Sequence, residues 1–249
     1  TAGVAIMLAG WSIAVFVLVR ILLNTPDQDK RHAKVTSIAL FMGWLGVAAY
    51  LLWLMTENSA ALNFSRTAGI WFFLFPIVLT VSHRMIPFFS SRVLDNYVMV
   101  RPFWMLWLML ACIVAHGGLQ WLEMTAYQWM ADFPLALCAL YLSYRWGFLR
   151  SFSVSLLAVL HFSFLWLGLS MTLYAVQSLV YMLSGNLLFG LAPLHALAIG
   201  FFASMVLAMA SRVTIGHSGR PLELDHTTWL LFLGFQSATV LRILADIIP

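Results

Sequence analysis

Charged residues are scarce in this chain: Asp, Glu, Lys and Arg make up only 9% of its 249 residues, whereas 63% are hydrophobic. A soluble domain is about a quarter charged and about half apolar. No soluble fold of this length buries so much apolar surface, so the composition excludes a soluble globular domain and predicts a polytopic membrane protein. The net charge of +4 is small and gives no reason to expect a nucleic-acid partner.

Cysteine is equally scarce. Cys112 and Cys138 both lie in apolar runs, and the sequence contains neither CxxC nor CxxCH. This disfavours a disulfide framework, a thiol redox motif and a covalently attached c-type haem. The sequence also lacks a nucleotide-binding motif, H-E-x-x-H, G-x-S-x-G and a pair of catalytic carboxylates. These absences leave open whether the protein is an enzyme.

Long apolar runs are abundant instead. A transmembrane helix needs ~20 mostly apolar residues, and eight segments reach or approach that length. They are Gly3–Leu23, Val35–Met55, Thr67–Val81, Pro102–Leu119, Trp129–Tyr144, Ser153–Leu173, Leu191–Ala210 and Thr228–Ile248. The fifth is the weakest, because it is short and has Pro134 near its start. We therefore predict an all-α fold, a single transmembrane helix bundle over residues 1–249, in which the more polar residues 174–190 form an extramembrane or interfacial segment.

The positions of Lys and Arg test this count. All of them except Arg66 and Arg242 lie in, or at the edge of, a connection that follows an odd-numbered span. Positive residues accumulate in cytoplasmic loops, so this pattern predicts that both ends of the chain are periplasmic. A span begins almost at Thr1, without a visible cleavable signal peptide. We expect that N-terminal spans of the protein are missing from this sequence.

Four polar residues on different spans lie at depths where the bilayer offers no water: His116, His161, His195 and Arg242. At ~1.5 Å per residue, His161 is ~12 Å deep in the sixth span, and the others lie in the outer part of theirs. Imidazole is a common ligand of haem iron and copper, and the alternatives are a proton relay or a structural hydrogen bond between helices. Arg242 either pairs with Asp246 one turn later or holds an anionic group such as a haem propionate.

Small residues recur at every fourth position of the seventh span, at Ala196, Gly200, Ser204 and Ala208. Such a ridge permits close helix approach and predicts that this span lies inside the bundle. Methionines repeat one turn apart at Met105/Met109 and Met205/Met209. Thioethers suit Cu(I), although methionine in so apolar a chain more often fills gaps in the core.

Two loop segments contain further histidines: Ser82–Ser91 carries His83, and Ser211–Leu222 carries His217. The charge pattern predicts both histidines at the cytoplasmic surface, where they are either metal ligands or part of basic anchors and turns. Pro87 is predicted to end a helix. Because ~30 Å of helix separates His195 from His217, these two residues cannot ligate one metal.

Several runs resemble signatures of the NnrS family. They are R-M-I-P-F-F at Arg84–Phe89, L-H-F-S-F-L-W-L at Leu160–Leu167, L-H-A-L-A-I-G at Leu194–Gly200, S-R-V-T-I-G-H-S-G-R-P-L at Ser211–Leu222 and L-R at Leu241–Arg242. That family consists of bacterial inner-membrane proteins of the nitric-oxide response, described as containing haem and copper. The resemblance implies a full protein of about twelve spans, about four of which precede this sequence.

The resemblance also implies that His161, His195, His217 and Arg242 occupy family motif positions. Our hypothesis is a non-covalent, b-type haem in the outer half of the bundle. His195 and His161 are its axial-ligand candidates, with His116 in reserve and Arg242 as a propionate partner. His217 and His83 are candidates for a further metal such as copper.

On this hypothesis the protein relieves nitric-oxide or nitrosative stress in the inner membrane, with nitric oxide as a ligand and a respiratory membrane complex as a further partner. Two alternatives stay open. One is a cofactor-free transporter, or accessory subunit of a respiratory complex, in which the histidines are structural. The other is electron transfer from quinol through a b-type haem, which shares the fold and differs in its partners.

Overall fold

Helices make up the regular secondary structure of the residues described in this computed structural model, which are residues 1–26, 29–219 and 223–248. They are α1 (Ala2–Asn24), α2 (Arg31–Thr56), α3 (Ser59–Val93), α4 (Phe103–Trp121), α5 (Trp129–Arg145), α6 (Phe148–Ser151), α7 (Ser155–Ser184), α8 (Ala192–His217) and α9 (His226–Ile247). A short 3-10 turn at Thr125–Tyr127 joins α4 to α5. The all-α, polytopic fold class is confirmed.

Seven helices of the described chain are long and apolar enough to cross a membrane: α1, α2, α3, α4, α7, α8 and α9. The predicted fifth span corresponds to α5, which has 17 residues. At ~1.5 Å per residue this helix is ~26 Å long, slightly less than the ~30 Å hydrocarbon layer. The fifth span is therefore short in the structure as well as in the sequence.

Three helices extend by a turn or more past the predicted C-terminal ends of their apolar runs. α3 continues from the third span to Val93, so Pro87 lies inside this helix and does not end it as predicted. α8 continues to His217, past the predicted end at Ala210. α7 continues to Ser184, where Gly185 takes a left-handed conformation (φ 71°) and ends the helix. Whether residues 174–190 leave the bilayer stays a prediction.

Both α3 and α8 contain a π-helical segment, at Ala68–Leu74 and Ala196–Ala203 respectively. In the second segment, the Ser204 hydroxyl donates to the carbonyl of Ile199, five residues earlier. π-Helical insertions of this kind often mark functional positions. The one in α8 begins directly after His195.

The chain divides into two compact units, with the dividing points inside α3 and α4. Unit 1 comprises Thr1–Val81 and Ile113–Met124. In this unit, α2 packs closely against the π-helical part of α3, because Gly46 leaves room for Ala68 and a Cβ at Gly46 would lie 3.1 Å from the Ala68 Cβ. The indole N–H of Trp44 donates to the Ser12 hydroxyl at 2.9 Å and joins α2 to α1.

Unit 2 comprises Ser82–Cys112 and Thr125–Pro249, as far as the structure describes them. α7 is its central helix and contacts α5, α6 and α8. All four positions of the predicted small-residue ridge on α8 are buried, so the prediction that this ridge packs against neighbouring helices is confirmed. The Asp225 carboxylate caps α9 by accepting from the backbone N–H of Thr228 at 3.2 Å, and hydrogen bonding from Thr228 lowers the pKa of Asp225.

Candidate cofactor site

His195 lies at the N-terminal end of α8 in unit 2 and contacts the C-terminal end of α9. Its Nδ1 is 2.5 Å from Oδ2 of Asp246. The second carboxylate oxygen, Oδ1, is 3.6 Å from Nη2 of Arg242, one turn earlier on α9. The two oxygens of Asp246 therefore serve different partners, an imidazole on α8 and a guanidinium on its own helix.

This hydrogen bond defines the tautomer of His195. A carboxylate only accepts, so the proton of the neutral imidazole is on Nδ1 and the lone pair is on Nε2. The His195 side chain is 19% exposed and that of Asp246 13%, whereas Arg242 is half exposed. A carboxylate that fixes one imidazole nitrogen, while the other keeps its lone pair, is the usual support of a metal-binding histidine.

A buried hydrogen-bond chain holds the helices that carry this site. The Trp166 indole N–H on α7 donates to Oε1 of Gln236 on α9 at 2.8 Å, and Nε2 of Gln236 donates to the Ser204 hydroxyl on α8 at 2.8 Å. All three side chains are nearly inaccessible to solvent. These hydrogen bonds join α7, α8 and α9 at one level. They fix the pairing of α8 with α9 that brings His195 to Asp246.

His161 is almost fully buried on α7 and bonds to α3. The Ser90 hydroxyl donates to the carbonyl of Ile86, so it accepts from Nε2 of His161, and both distances are 2.9 Å. The proton of this imidazole is therefore on Nε2, and the residue joins two helices. This geometry corresponds to the structural alternative for His161 more closely than to a metal ligand.

His161 and His195 lie at different levels of unit 2. Helices α7 and α8 run antiparallel, because Phe164 contacts Phe201 and Trp166 contacts Gly200. His161 precedes Trp166 by five residues and His195 precedes Gly200 by five, so the two imidazoles are ~15 Å apart along the helices. At this separation the two imidazoles cannot both bind one iron atom.

Two of the runs used in the sequence analysis meet in unit 2. The Arg212 guanidinium, 8% exposed, lies over the ring of Phe89 with its carbon 3.9 Å from the centroid. Phe89 belongs to R-M-I-P-F-F on α3, and Arg212 to S-R-V-T-I-G-H on α8. A cation over an aromatic face in a desolvated setting stabilises by about 2 kcal/mol. This contact fixes α3 against α8.

The position of His83 at the cytoplasmic surface of the membrane stays a prediction, and within the protein this residue is buried. This histidine is fully buried in unit 2, with ring centroids 5.7 Å from Phe103 and 6.1 Å from Trp146. The reason is that α3 continues for ten residues past His83 and carries it into the bundle. His217 is exposed at the last turn of α8, and the neighbouring Arg220, Pro221 and Leu222 lie outside the described residues.

His116 belongs to unit 1 and is fully buried. Its ring stacks on Trp71, with centroids 3.6 Å apart and planes at 25°. The adjacent Gly117 makes this approach possible, since a Cβ there would lie 2.6 Å from the Phe72 ring. The stacking face of this imidazole is occupied by protein.

The described residues contain no group of three or more His, Cys, Asp and Glu side chains placed to hold one metal ion. Met105, Met109 and Met205 are buried among other core side chains, as in the gap-filling alternative. His195 is consequently the predicted residue whose surroundings fit a metal or haem iron best, as a single protein ligand with a supporting carboxylate. Arg242 fits the role of an anion partner, because it is half exposed and lies beside the same carboxylate.

The sequence predicted the pair of Asp246 with Arg242 but not the bond of Asp246 to His195. It also missed Ser90, the partner of His161, and Asp132, a fully buried carboxyl group on α5. For Asp246 a signal was present, because an acidic residue and a histidine near the same predicted membrane surface tend to pair. No feature of the sequence indicated that Ser90 would bond to His161.

Taken together, the spanning helices and the carboxylate-supported histidine define a multi-pass helical membrane protein with a candidate ligand for a metal or haem. The chain belongs to the NnrS family: the family model described as "NnrS protein" matches residues 1–249. Comparisons with curated proteins and with solved structures found no match. The predicted resemblance is confirmed, and membership supports a role in the nitric-oxide response at the level of the family.

Proposed function

We propose that this NnrS family member binds a b-type haem through Nε2 of His195 and acts in the response to nitric oxide and nitrosative stress. The observation that carries the proposal is the 2.5 Å contact between His195 Nδ1 and Asp246, which leaves Nε2 as the coordinating nitrogen. Family membership supports the nitric-oxide response. Haem iron, when bound, supplies a coordination position for nitric oxide.

The residues of the chain have separate tasks in this proposal. His195 provides the coordinating nitrogen, and Asp246 holds the imidazole in the Nδ1–H tautomer with the lone pair on Nε2. Arg242 balances the Asp246 carboxylate and offers its remaining N–H groups to a propionate. The π-helical segment begins directly after His195, so the helical register of α8 changes at this residue. The small residues of α8 stay buried. Copper is the second metal that a single imidazole of this kind suits.

The haem proposal predicts a Soret band in the full-length protein purified from membranes. Adding nitric oxide to the reduced protein should shift this band, because the gas binds the iron position that the protein leaves open. Metal analysis of the same sample measures iron and copper per chain. A colourless, metal-free preparation would contradict the proposal and favour the cofactor-free transporter or accessory subunit.

Electron transfer from quinol is the second candidate, and one feature favours it. An apolar cavity of about 270 Å³ lies between α7, α8 and α9, with Val159, Leu207 and Phe232 in its lining. A cavity of this kind suits the ring or tail of a lipid-soluble quinol. Rapid reduction of the Soret-absorbing haem by added quinol would favour this candidate over nitric-oxide binding alone.

We also propose the inner membrane as the location and a periplasmic position for both chain ends, supported by the distribution of Lys and Arg. A reporter enzyme fused after Ser184, at the end of α7, should then report the periplasm. A second reporter fused after Asp95, between α3 and α4, serves as the control and should report the cytoplasm. Exchange of the two signals would overturn the orientation.

A further inference from the structure

A cavity of about 670 Å³ in unit 2 opens beside the C-terminal end of α5. Its walls come from α5, α6, α7 and the connection between α3 and α4. Gly147 takes φ 88°, a conformation that favours glycine, in the turn between α5 and α6. The fully buried Trp146 donates its indole N–H to the carbonyl of Val100 at 2.7 Å, which fixes the α3–α4 connection against the end of α5.

Two arginines give the cavity a positive charge. Arg150 donates to the backbone carbonyl of Asp95, and the Arg145 guanidinium carbon lies 6.0 Å from the centroid of the Tyr141 ring. Within the described chain neither arginine forms an ion pair with a carboxylate, and none of the described residues that line the cavity is acidic. The two formal charges are therefore not balanced inside the cavity.

Ser143 adds a hydrogen-bonding group to the same wall. Its side chain is 3% exposed, and its hydroxyl has no hydrogen-bond partner among the described residues. By contrast, the hydroxyls of Ser163 and Thr172 on α7 donate to the carbonyl one turn earlier. A buried hydroxyl without a partner has lost its hydrogen bonds to water, which destabilises the folded protein. A ligand with acceptor atoms would replace those bonds.

Six further residues of the lining are apolar: Val98, Val100, Leu140, Phe148, Leu149 and Leu165. Asn96, Tyr97 and Tyr144 add polar groups to it. Leu140 precedes Arg145 by five residues, which places it ~7.5 Å further from the charged end of α5. Leu165 lies ten residues into α7, ~15 Å from its start. The cavity thus combines a cationic rim at the helix ends with apolar walls that continue into the spanning part of the bundle.

We propose that this cavity binds an anionic phospholipid, with the phosphate at Arg145, Arg150 and Ser143 and an acyl chain along the apolar wall. Two guanidinium groups match the charge and the acceptor oxygens of a phosphodiester. Basic pockets between helix ends are a known form of lipid head-group site. A small soluble anion would use the rim and leave the apolar wall without a partner. This site is separate from His195 and does not depend on haem binding.

The test uses the full-length protein in nanodiscs of phosphatidylcholine with increasing phosphatidylglycerol, and native mass spectrometry of the released protein counts retained lipids. We expect one retained phosphatidylglycerol per chain at low mole fraction. The double variant Arg145→Gln/Arg150→Gln should weaken its binding about tenfold or more, because two charge-assisted contacts are lost. Ser143→Ala, which preserves cavity and charge, should weaken it about threefold.

The matched control is Arg20→Gln/Arg92→Gln, which removes the same charge from two exposed arginines that do not line the cavity. This variant should retain phosphatidylglycerol like the unmodified protein. Equal losses in both double variants would show general attraction of lipid to a basic surface and overturn the proposal. Competition by glycerol phosphate at the concentration of the lipid would show a site for soluble anions and would overturn it as well.

Discussion

Replacing Asp246 by asparagine is expected to lower the affinity of the protein for haem by about 10- to 100-fold, the usual effect of losing the carboxylate behind a metal-binding histidine. Asparagine has nearly the same shape, and its oxygen still accepts from Nδ1 of His195. It lacks the negative charge that strengthens Nε2 as a metal ligand and that pairs with Arg242. His195→Ala should abolish binding, because it removes the coordinating nitrogen itself.

Titration of haem-free protein with haem, followed at the Soret band, measures both effects. Arg242→Gln is the comparison, since it removes the proposed propionate contact and a 3.6 Å ion pair but leaves the bond between His195 and Asp246 in place, and surface ion pairs contribute about 0–1 kcal/mol. It should weaken binding less than Asp246→Asn does. Wild-type affinity in Asp246→Asn would show that the carboxylate has no part in holding haem.

Replacing Gly200 by alanine should destabilise the protein by about 1–3 kcal/mol, the usual cost of overpacking a core. An added Cβ would lie 2.6 Å from Cγ and Cδ2 of Trp166 and 3.1 Å from its Cβ. Trp166 cannot move away freely, because its indole N–H is bonded to Gln236, which is in turn bonded to Ser204. The strain would therefore reach all three helices that hold His195.

Gly234→Ala on α9 is the matched control, because a Cβ at that position meets nothing within 4 Å. Alanine is favoured over glycine inside a helix by about 1 kcal/mol, so this variant should be as stable as the unmodified protein or more so. Unfolding by SDS in mixed micelles, followed by tryptophan fluorescence, compares the two. Equal stability of the two variants would contradict the tight α7–α8 contact.

Much of the fold follows from the order of residues along single helices. Apolar runs located the spanning helices, the four-residue spacing of small residues showed which face of α8 is buried, and the i,i+4 spacing of Arg242 and Asp246 predicted their ion pair. Each of these patterns lies within a single helix, so it can be recognised without knowing which helices are neighbours. The ends of helices were less predictable, because polar residues such as His83 can continue a helix where protein, and not lipid, surrounds them.

The candidate site depends on pairs that are distant in sequence. His195 and Asp246 are 51 residues apart, and Ser90 and His161 are 71 residues apart. Their meeting requires the packing of α8 with α9 and of α3 with α7. A single sequence contains the residue types of such a site and their approximate depth. It does not contain the helix neighbours that decide which histidine receives a carboxylate and which receives a serine.

The most direct test of the central proposal is imidazole rescue of His195→Gly in the full-length protein. Removing the side chain leaves room for a free imidazole at the same position, next to Asp246. We predict that the variant lacks the Soret band after purification with haem, and that added imidazole restores both the band and its shift with nitric oxide. His161→Gly should keep the band without imidazole. A normal band in His195→Gly would contradict the assignment of His195 as the haem ligand.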